Sequence, residues 1–283
     1  MVKKVAVIND LSGLGKCSLT AAIPVLSAMG VQACPLPTAI LSNQTGYESY
    51  YYDDYTDHID AYAEEWKKRK LTLDGIYTGF LGSELQAEKI LHFIHTFARP
   101  ETLLLVDPVM GDGGQTYDIY NETFGKQMKK LVRQADVITP NLTELCLLTD
   151  TDYKDLTAKK SSLDYLNMIA TIGKKLLELG IGTVIVTGII YQSPSDASEK
   201  YYNLVLSDEQ VTTISSDIHG GSYSGTGDLL ASVVCAGMVR GDSATDSVRR
   251  AVSFLETALI ETAREQIPRN DGINFEPYLK LLL

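Results

Sequence analysis

A glycine-rich stretch near the C-terminus, residues 220–230 (GGSYSGTGDLL), contains the residue types best placed for chemistry. Gly225, Thr226 and Gly227 allow a sharp turn directly before Asp228, and the apolar residues that follow predict a buried helix. The N–H groups of the turn and the positive end of the helix would face one concavity, beside a carboxylate that could deprotonate a small nucleophile. This combination favours transfer of an anionic group. The stretch alone also fits an ordinary glycine turn in which Asp228 caps the helix.

Other polar residues follow predicted strands. Short, fully apolar runs predict buried parallel strands over residues 4–8, 102–106, 135–138 and 183–186. In open α/β sheets, ligands bind beyond the carboxyl ends of the strands. We therefore expect one rim of the sheet to gather the polar residues from these strand ends and from the glycine loop: Asp10, Asp107, Asp112, Asn141, Glu144 and Asp228.

Carboxylates gathered at that rim would repel one another and a nucleotide unless a divalent cation lay among them, and hard oxygen ligands favour Mg²⁺. The spacing of Asn141 and Glu144 places both side chains on one face of a starting helix, beside its positive end. Glu144 could instead be a capping-box residue that only holds the start of that helix.

Strands that alternate with helices indicate a doubly wound, mostly parallel central sheet with helices on both faces. Further strands are predicted over residues 31–35 and 73–79, and a hairpin of residues 201–206 with 210–215 predicts an antiparallel edge. No proline- or serine-rich linker interrupts the sequence, so we expect one domain over residues 1–283. The polar and aromatic residues 41–54 could close over a flat ring, or their tyrosines could pack on a neighbouring helix.

Composition narrows the possible partners. The chain has 283 residues and a net charge of -11, which argues against nucleic acid but not against a phosphorylated ligand. No apolar run approaches the roughly 20 residues of a membrane span, and the N-terminus does not resemble a signal peptide. We therefore expect a cytoplasmic protein that binds neither membrane nor nucleic acid. Its cysteines are far apart and predict free thiols: Cys17, Cys34, Cys146 and Cys235.

Several known motifs are incomplete in this sequence. Residues 13–18 (GLGKCS) resemble the end of a phosphate-binding P-loop. However, Asp10 stands where that motif has its first glycine, and Cys17 stands where it has a serine or threonine. We therefore reject a P-loop and predict that Lys16 is solvent-facing or peripheral. The histidines lack the spacing of zinc ligands. Neither a nucleophile-elbow motif nor a dinucleotide-binding glycine motif is present, which disfavours hydrolase and dinucleotide-binding interpretations.

Three separated motifs resemble the ribokinase superfamily, in order along nearly the whole chain: residues 107–112 (DPVMGD), 139–144 (TPNLTE) and 225–228 (GTGD). Within that superfamily, residues 42–47 (SNQTGY) and 79–83 (GFLGS) are similar to segments of the pyridoxal (vitamin B6) kinases. The resemblance implies a ribokinase-like fold, a homodimer, and Mg²⁺ as cofactor. It also implies transfer of the ATP γ-phosphoryl group to the 5′-hydroxymethyl group of pyridoxal, pyridoxine or pyridoxamine.

The resemblance also assigns roles to individual residues. Asp228 matches the family's base, and the N–H groups of Gly225, Thr226 and Gly227 match its anion hole. Asp112 and Glu144 match positions near the Mg²⁺. The residues that match nucleotide-binding positions are Asp107, Asp112, Asn141, Glu144, Thr187 and Gly188. The residues that fall where the family holds the pyridine ring are Asp10, Ser12, Thr45 and Phe80, the last in place of a common tyrosine.

The sequence differs from the pyridoxal kinases at positions that could change the substrate. Asp10 replaces a serine that is usual in those enzymes, and residues 12–15 (SGLG) are partly similar to hydroxymethylpyrimidine kinases. Those relatives often carry cysteine where this chain has Asp228. The alternative functions are a hydroxymethylpyrimidine kinase, a sugar kinase of the same superfamily and a non-catalytic small-molecule sensor. Because phosphoryl transfer needs little covalent help, we expect Asp228 to accept the hydroxyl proton late, as the bond to phosphorus forms.

Overall fold

The computed structural model describes residues 2–193 and 196–283. Strands and helices alternate along most of the chain, as the sequence pattern predicts. The strands are β1 (Lys4–Ser12), β2 (Gln32–Leu41), β3 (Tyr52–Asp54), β4 (Gly75–Thr78), β5 (Leu103–Val106), β6 (Gly111–Asp112), β7 (Gln115–Thr116), β8 (Val137–Ile138), β9 (Thr183–Tyr191), β10 (Lys200–Leu206) and β11 (Val211–Asp217).

The helices have caps that the sequence explains. Four helices follow a residue whose side chain accepts a hydrogen bond from a backbone N–H in the first turn of the helix: Ser83, Asn121, Asp152 and Ser243. The α-helices are α1 (Ser18–Ala28), α2 (Ile59–Lys68), α3 (Glu84–Phe97), α4 (Glu122–Val132), α5 (Leu142–Thr149), α6 (Tyr153–Thr157), α7 (Tyr165–Leu177), α8 (Thr226–Arg240) and α9 (Ala244–Arg264). Short 3₁₀ helices cover Thr56–His58, Arg269–Asp271 and Glu276–Leu282.

A nine-stranded sheet forms among the described residues, in the order β11-β10-β9-β8-β5-β4-β1-β2-β3. The pairs β1–β2, β1–β4 and β8–β9 are parallel, whereas β2–β3, β9–β10 and β10–β11 are antiparallel. Nearly every residue of β1 and β4 is buried, as expected of parallel strands that are covered on both faces. The predicted fold class, a mostly parallel sheet flanked by helices with an antiparallel edge, is confirmed.

The chain divides into two compact units. Unit 1 comprises the described residues up to Leu105 together with His219–Leu283, and unit 2 comprises Val106–Ile218. The single ribokinase-like domain over residues 1–283 stays a prediction.

In unit 1, two strands run further than their apolar residues indicate. β1 continues past Ile8 to Ser12, because its pairing with β2 resumes after an irregularity between Asn9 and Leu11. β2 in turn runs to Leu41, well beyond the predicted end at residue 35. The aromatic loop over residues 41–54 is partly ordered as well, since β3 pairs with the last residues of β2. The polar residues after Ile8 are therefore held by the sheet and not by a free loop.

In unit 2, a two-residue hairpin that the sequence pattern does not predict joins β6 to β7. Its turn residues Gly113 and Gly114 have φ of +58° and +79°, the conformation that tight hairpin turns require. A Cβ at Gly114 would lie 2.6 Å from ring atoms of Tyr153, so this turn also packs closely on α6. The hairpin fixes the backbone around Asp112.

Two further observations concern membrane-spanning helices and the cysteines. No helix among the described residues is long and apolar enough to cross a membrane. The four cysteines are free thiols, as predicted, and Cys17, Cys146 and Cys235 are buried.

Candidate active site

The glycine loop at the start of α8 has the geometry of an anion-binding turn. Gly225 precedes the helix with φ of +83°, and a Cβ there would lie 2.1 Å from the carbonyl oxygen of Lys16. Both the backbone angle and the close approach therefore require glycine. A Cβ on Gly227 would meet no atom within 4 Å, so open space lies beside that residue. The first N–H groups of a helix have no partner inside it, and its positive end favours a negative charge.

Asp228 lies in the first turn of α8 and is anchored by two residues of unit 1. Asn9 Nδ2 donates to Asp228 Oδ1 at 3.0 Å, and the backbone N–H of Ser18 donates to the same carboxylate. Burial is the main cause that raises the pKa of Asp228, and the negative charge of Asp10 adds to it. The two donated hydrogen bonds oppose the shift, and the resulting pKa is about 6. A carboxyl group with this pKa is a base at neutral pH and is poised for proton transfer.

Asp10 is a buried carboxylate in the same part of unit 1. It accepts hydrogen bonds from Ser12 Oγ at 2.7 Å and from Ser18 Oγ at 2.5 Å. Burial raises its pKa, and these two hydroxyl groups lower it only in part. Ser18 adopts a φ of +50°, a conformation that non-glycine residues seldom adopt. Ser18 thus connects the two carboxylates, with its side chain on Asp10 and its N–H on Asp228.

Phe80 joins this group through its backbone. Its N–H donates to Asn9 Oδ1 at 2.8 Å, and its carbonyl accepts from Thr38 Oγ1 at 2.9 Å. We call the residues that these contacts join the Asp228 cluster: Asn9, Asp10, Ser12, Ser18, Phe80 and Asp228. The sequence predicted four of them, and it missed Asn9 and Ser18 because their roles depend on contacts that no local motif records.

Thr45, the remaining predicted ring-binding residue, is exposed on the loop after β2. The C-terminal segment, residues 266–283, holds that loop directly after Thr45. Asn270 Nδ2 donates to the carbonyl of Gly46, and Tyr47 Oη donates to Asp271 Oδ1, both at 2.5 Å. The sequence pattern predicts only a short polar tail for this segment. Its Asn-Asp-Gly tripeptide, typical of a turn, was the available signal.

The C-terminal segment also contacts Lys16, for which the sequence predicts a solvent-facing or peripheral position. This residue is half-buried, and its Nζ donates to Asn274 Oδ1 at 2.7 Å and to Glu276 Oε2 at 3.0 Å. Lys16 therefore holds the C-terminal segment against the turn after β1. Its ammonium group is engaged in these contacts, which agrees with the rejection of a P-loop.

In unit 2, Asn141 and Glu144 form a capping box at the start of α5. Asn141 Oδ1 accepts from the N–H of Glu144, and Glu144 Oε2 accepts from the N–H of Asn141 at 2.9 Å. Glu144 Oε1 also accepts from the N–H of Met110 at 3.2 Å, and Asn141 Nδ2 donates to the carbonyl of Gly111 at 2.8 Å. The capping interpretation is therefore correct, and the same contacts bring the two residues to the β6–β7 hairpin.

Glu144 is buried among like charges. Burial is the main cause that raises its pKa well above the usual range, and the charges of Asp107 and Asp112 raise it further. Asp107 Oδ1 accepts from Thr139 Oγ1 at 3.0 Å, and exposed Asp112 Oδ1 accepts from the N–H of Gly113 at 2.8 Å. These four residues, Asp107, Asp112, Asn141 and Glu144, form the Glu144 cluster. A bound cation would relieve their mutual repulsion.

Thr187 and Gly188 lie next to this cluster within unit 2. Thr187 forms a parallel bridge with Asn141, and its N–H donates to the carbonyl of Pro140 at 2.9 Å. Gly188 has a φ of +65°, and its N–H donates to the buried Asn203 Oδ1 at 3.2 Å. The pairing of β9 with β10 is irregular at this point. The predicted nucleotide-binding residues of unit 2 are thus close neighbours in the structure.

The donor chemistry of the Glu144 cluster fits Mg²⁺. Within the described ranges, no group of three or more histidine, cysteine, aspartate or glutamate side chains is arranged to hold a metal ion. Mg²⁺ does not need such a group, because it usually binds one or two carboxylates, several waters and the substrate phosphates. Asp112 is exposed, and each oxygen of Glu144 retains a lone pair beyond its hydrogen bond to a backbone N–H.

Known proteins resemble this chain over nearly its whole length. Residues 15–272 match the phosphomethylpyrimidine kinase family. A solved structure from Bacteroides thetaiotaomicron, described as a phosphomethylpyrimidine kinase with pyridoxal, is 36% identical with a TM-score of 0.88, covering 100% of this chain and 96% of that chain. Pyridoxal kinase from Lactobacillus plantarum is 28% identical with a TM-score of 0.86, covering 100% and 97%. The pyridoxine/pyridoxal/pyridoxamine kinase of Bordetella avium is 26% identical, covering 84% of this chain and 78% of its own length.

The fold and these matches define a ribokinase-like kinase, a phosphotransferase with an alcohol group as acceptor. The chain belongs to the phosphomethylpyrimidine kinase family, and its relatives include proteins named pyridoxal kinase. The predicted enzyme class and the resemblance to pyridoxal kinases are confirmed. ATP is the co-substrate of this class of kinase.

The glycine loop gives a direct test of the anion hole. Because nothing lies within 4 Å of a Cβ at Gly227, Gly227→Ala should leave the free energy of unfolding unchanged or raise it by up to about 0.5 kcal/mol. The methyl group would occupy the open space that a phosphate needs, so we expect kcat/KM to fall roughly tenfold or more. Chemical denaturation and steady-state kinetics measure the two effects.

Gly225→Ala is the matched comparison. Its added methyl group meets the Lys16 carbonyl and its φ is unfavourable for alanine, so we expect a loss of about 1–3 kcal/mol in the free energy of unfolding. Full activity of Gly227→Ala would contradict an anion-binding role for that face of the loop.

Proposed function

We propose that this enzyme transfers the γ-phosphoryl group of ATP to the 5′-hydroxymethyl group of pyridoxal, pyridoxine or pyridoxamine. The observation that carries the proposal is the position of Asp228. It is a half-buried carboxylate with a raised pKa at the start of a glycine-capped helix, held by Asn9 and Ser18, in a chain that belongs to a kinase family. A purely structural helix cap would not need this environment.

In unit 1, Asp228 would act as the base. The pKa of an alcohol is far too high for removal of its proton before the reaction begins, so the carboxylate accepts the proton as the bond from oxygen to phosphorus forms. The N–H groups of Gly225, Thr226 and Gly227 hold the charged phosphate oxygens at the positive end of α8. Positioning and electrostatic stabilisation then provide most of the acceleration.

In unit 2, we propose that the Glu144 cluster, with Thr187 and Gly188, binds the phosphates of ATP. Asp112 and Glu144 would hold Mg²⁺, which when bound neutralises phosphate charge and draws electron density from the transferred group. The N–H group of Gly188 donates to Asn203 Oδ1, which fixes the backbone at that residue. The capping box keeps Glu144 in place with or without the cation, because both of its oxygens accept backbone hydrogen bonds.

Vitamin B6 compounds are the preferred acceptors because relatives named for them match the chain over most of its length, and a matching structure that is 36% identical contains pyridoxal. Asp10 and Ser12 lie in the Asp228 cluster and would contact the ring, with Phe80 and Thr45 beside it. The family match and Asp10 itself favour hydroxymethylpyrimidine as a second candidate substrate. Its ring is likewise a planar heterocycle that carries a hydroxymethyl group.

Substrate choice is tested by measuring ATP consumption in parallel with pyridoxal, pyridoxine, pyridoxamine, hydroxymethylpyrimidine and ribose. We expect the highest kcat/KM with one of the three B6 compounds, and ribose to be the poorest acceptor. A higher kcat/KM with hydroxymethylpyrimidine than with every B6 compound would favour the alternative.

The base role predicts the behaviour of Asp228→Asn. We expect turnover to fall by roughly two to four orders of magnitude, the usual scale of general-base loss, while ATP binding is retained. In the parent enzyme, kcat/KM should decrease as pH falls below about 6, because the carboxylate with a pKa of about 6 becomes protonated. Near-normal turnover of Asp228→Asn would eliminate Asp228 as the base.

Stability measurements separate this effect from misfolding. The folded state holds the Asp228 proton more tightly than the unfolded chain does, so this group's contribution to stability is lost as pH rises through about 4 to 6. Asp228→Asn removes that penalty, and its amide can still accept the hydrogen bond from Asn9. We therefore expect the variant to be at least as stable as the parent at pH 8, measured by thermal denaturation.

The Mg²⁺ assignment is tested with Glu144→Gln. If Glu144 helps to hold the cation, the Mg²⁺ concentration for half-maximal activity should rise by about 10-fold to 100-fold. Asn121→Ala is the control, because it removes a helix-capping side chain from α4 in the same unit and leaves the Glu144 cluster unchanged. We expect both variants to lose stability, and only Glu144→Gln to change the Mg²⁺ dependence. Equal Mg²⁺ dependence in the two variants would leave Glu144 with the capping role alone.

A homodimer, a cytoplasmic location and closure of the aromatic loop stay predictions. Tyr47 is bonded to Asp271 and β3 is paired with β2, so any closing movement would involve residues 48–51 between them.

A further inference from the structure

Asn9 is a polar residue at 0% exposure within β1, directly after the apolar residues Val5, Ala6, Val7 and Ile8. Burying an amide without hydrogen bonds costs several kcal/mol, so its partners explain its presence. Asn9 Oδ1 accepts from the N–H of Asp10 at 3.0 Å and from the N–H of Phe80 at 2.8 Å. Asn9 Nδ2 donates to Asp228 Oδ1 at 3.0 Å.

These contacts leave the amide one orientation. An oxygen that accepts two N–H groups cannot be exchanged with the NH₂ group, because donors would then face donors. The NH₂ group must therefore point at Asp228. Gly79 makes room for this arrangement, since a Cβ there would lie 2.4 Å from Asn9 Nδ2 and 2.7 Å from Asn9 Cγ.

We propose that Asn9 is a positioning residue, whose side chain orients the Asp228 carboxylate, keeps it in its charged form, and holds the backbone of Phe80 in register with it. This inference rests on the proposed role of Asp228 as the base. It also explains Gly79, which precedes Phe80 and could not carry a side chain without displacing the amide.

The informative variant is Asn9→Asp. A carboxylate can still accept from the N–H groups of Asp10 and Phe80, but in place of the donor it presents a second negative oxygen to Asp228. The other ionisable groups close to Asp228 among the described residues are Asp10 of β1 and Cys17 at the start of α1, and the substitution removes neither.

We expect the acid limb of the kcat/KM profile to move upward by at least one pH unit in Asn9→Asp. At pH 5 this shift lowers kcat/KM about tenfold or more, whereas most of the activity should return above pH 9. The profile is measured with the full chain, ATP and pyridoxal. A loss of folded protein would lower activity at every pH and would not move the limb.

Gln86→Glu is the matched control. Gln86 is also fully buried, and its Nε2 donates to Asp54 Oδ1 at 3.0 Å, so the substitution also replaces a donor beside a carboxylate. It should lower the melting temperature without moving the acid limb. If Asn9→Asp does not fold, Gly79→Ala displaces the same amide and should move the limb in the same direction.

The outcomes separate this inference from the proposed function. An inactive Asp228→Asn together with an unmoved acid limb in both Asn9→Asp and Gly79→Ala would overturn the role of Asn9 and leave the base intact. Near-normal turnover in Asp228→Asn would overturn both. The double variant Asn9→Asp with Asp228→Asn restores a donor facing an acceptor, so it should recover stability that Asn9→Asp loses.

Discussion

Desolvation of the Asp228 carboxylate, which is half-buried, is the constraint on which the arrangement of unit 1 depends. Loss of hydration raises its pKa, and only the hydrogen bonds from Asn9 and Ser18 oppose that effect. Each donor in turn constrains the backbone elsewhere. The amide of Asn9 requires that residue 79 be glycine, and Ser18 adopts a φ of +50° at the point where its N–H reaches the carboxylate. The unfavourable φ of Ser18 and the glycine at residue 79 thus both accompany the hydrogen bonds that hold the Asp228 carboxylate.

Unit 2 places its buried carboxylate by a different means. Glu144 is held by the capping box of α5 and by the N–H of Met110, so ordinary helix-end hydrogen bonds position a group that the proposed function also uses. Capping and ligand binding are therefore compatible interpretations, since each carboxylate oxygen can accept more than one partner. Asp107 and Asp112 add negative charge that the capping contacts do not neutralise. That excess charge is the physical argument for a cation at the Glu144 cluster.

The sequence was informative where the signal is local. Apolar runs predicted the buried strands, and the glycines before Asp228 predicted the turn at the start of α8. It was uninformative where a role depends on distant contacts, as for Asn9, whose partners Phe80 and Asp228 are 71 and 219 residues away. In the sequence, an asparagine after an apolar run indicates only that the run has ended. The contribution of Asn270 was hidden for the same reason, because its partner is the loop after β2.

In the proposed mechanism, Asp10 would link recognition of the acceptor to proton transfer. Its negative charge is one of the causes that raise the pKa of Asp228, and Ser18 contacts both carboxylates. A ring that donates a hydrogen bond or a positive charge to Asp10 would reduce that repulsion, and the pKa of Asp228 would then fall. A ring that only accepts hydrogen bonds would leave the repulsion in place or would require Asp10 to be protonated. If Asp10 contacts the ring as proposed, it would affect both which heterocycle binds and how readily Asp228 accepts a proton.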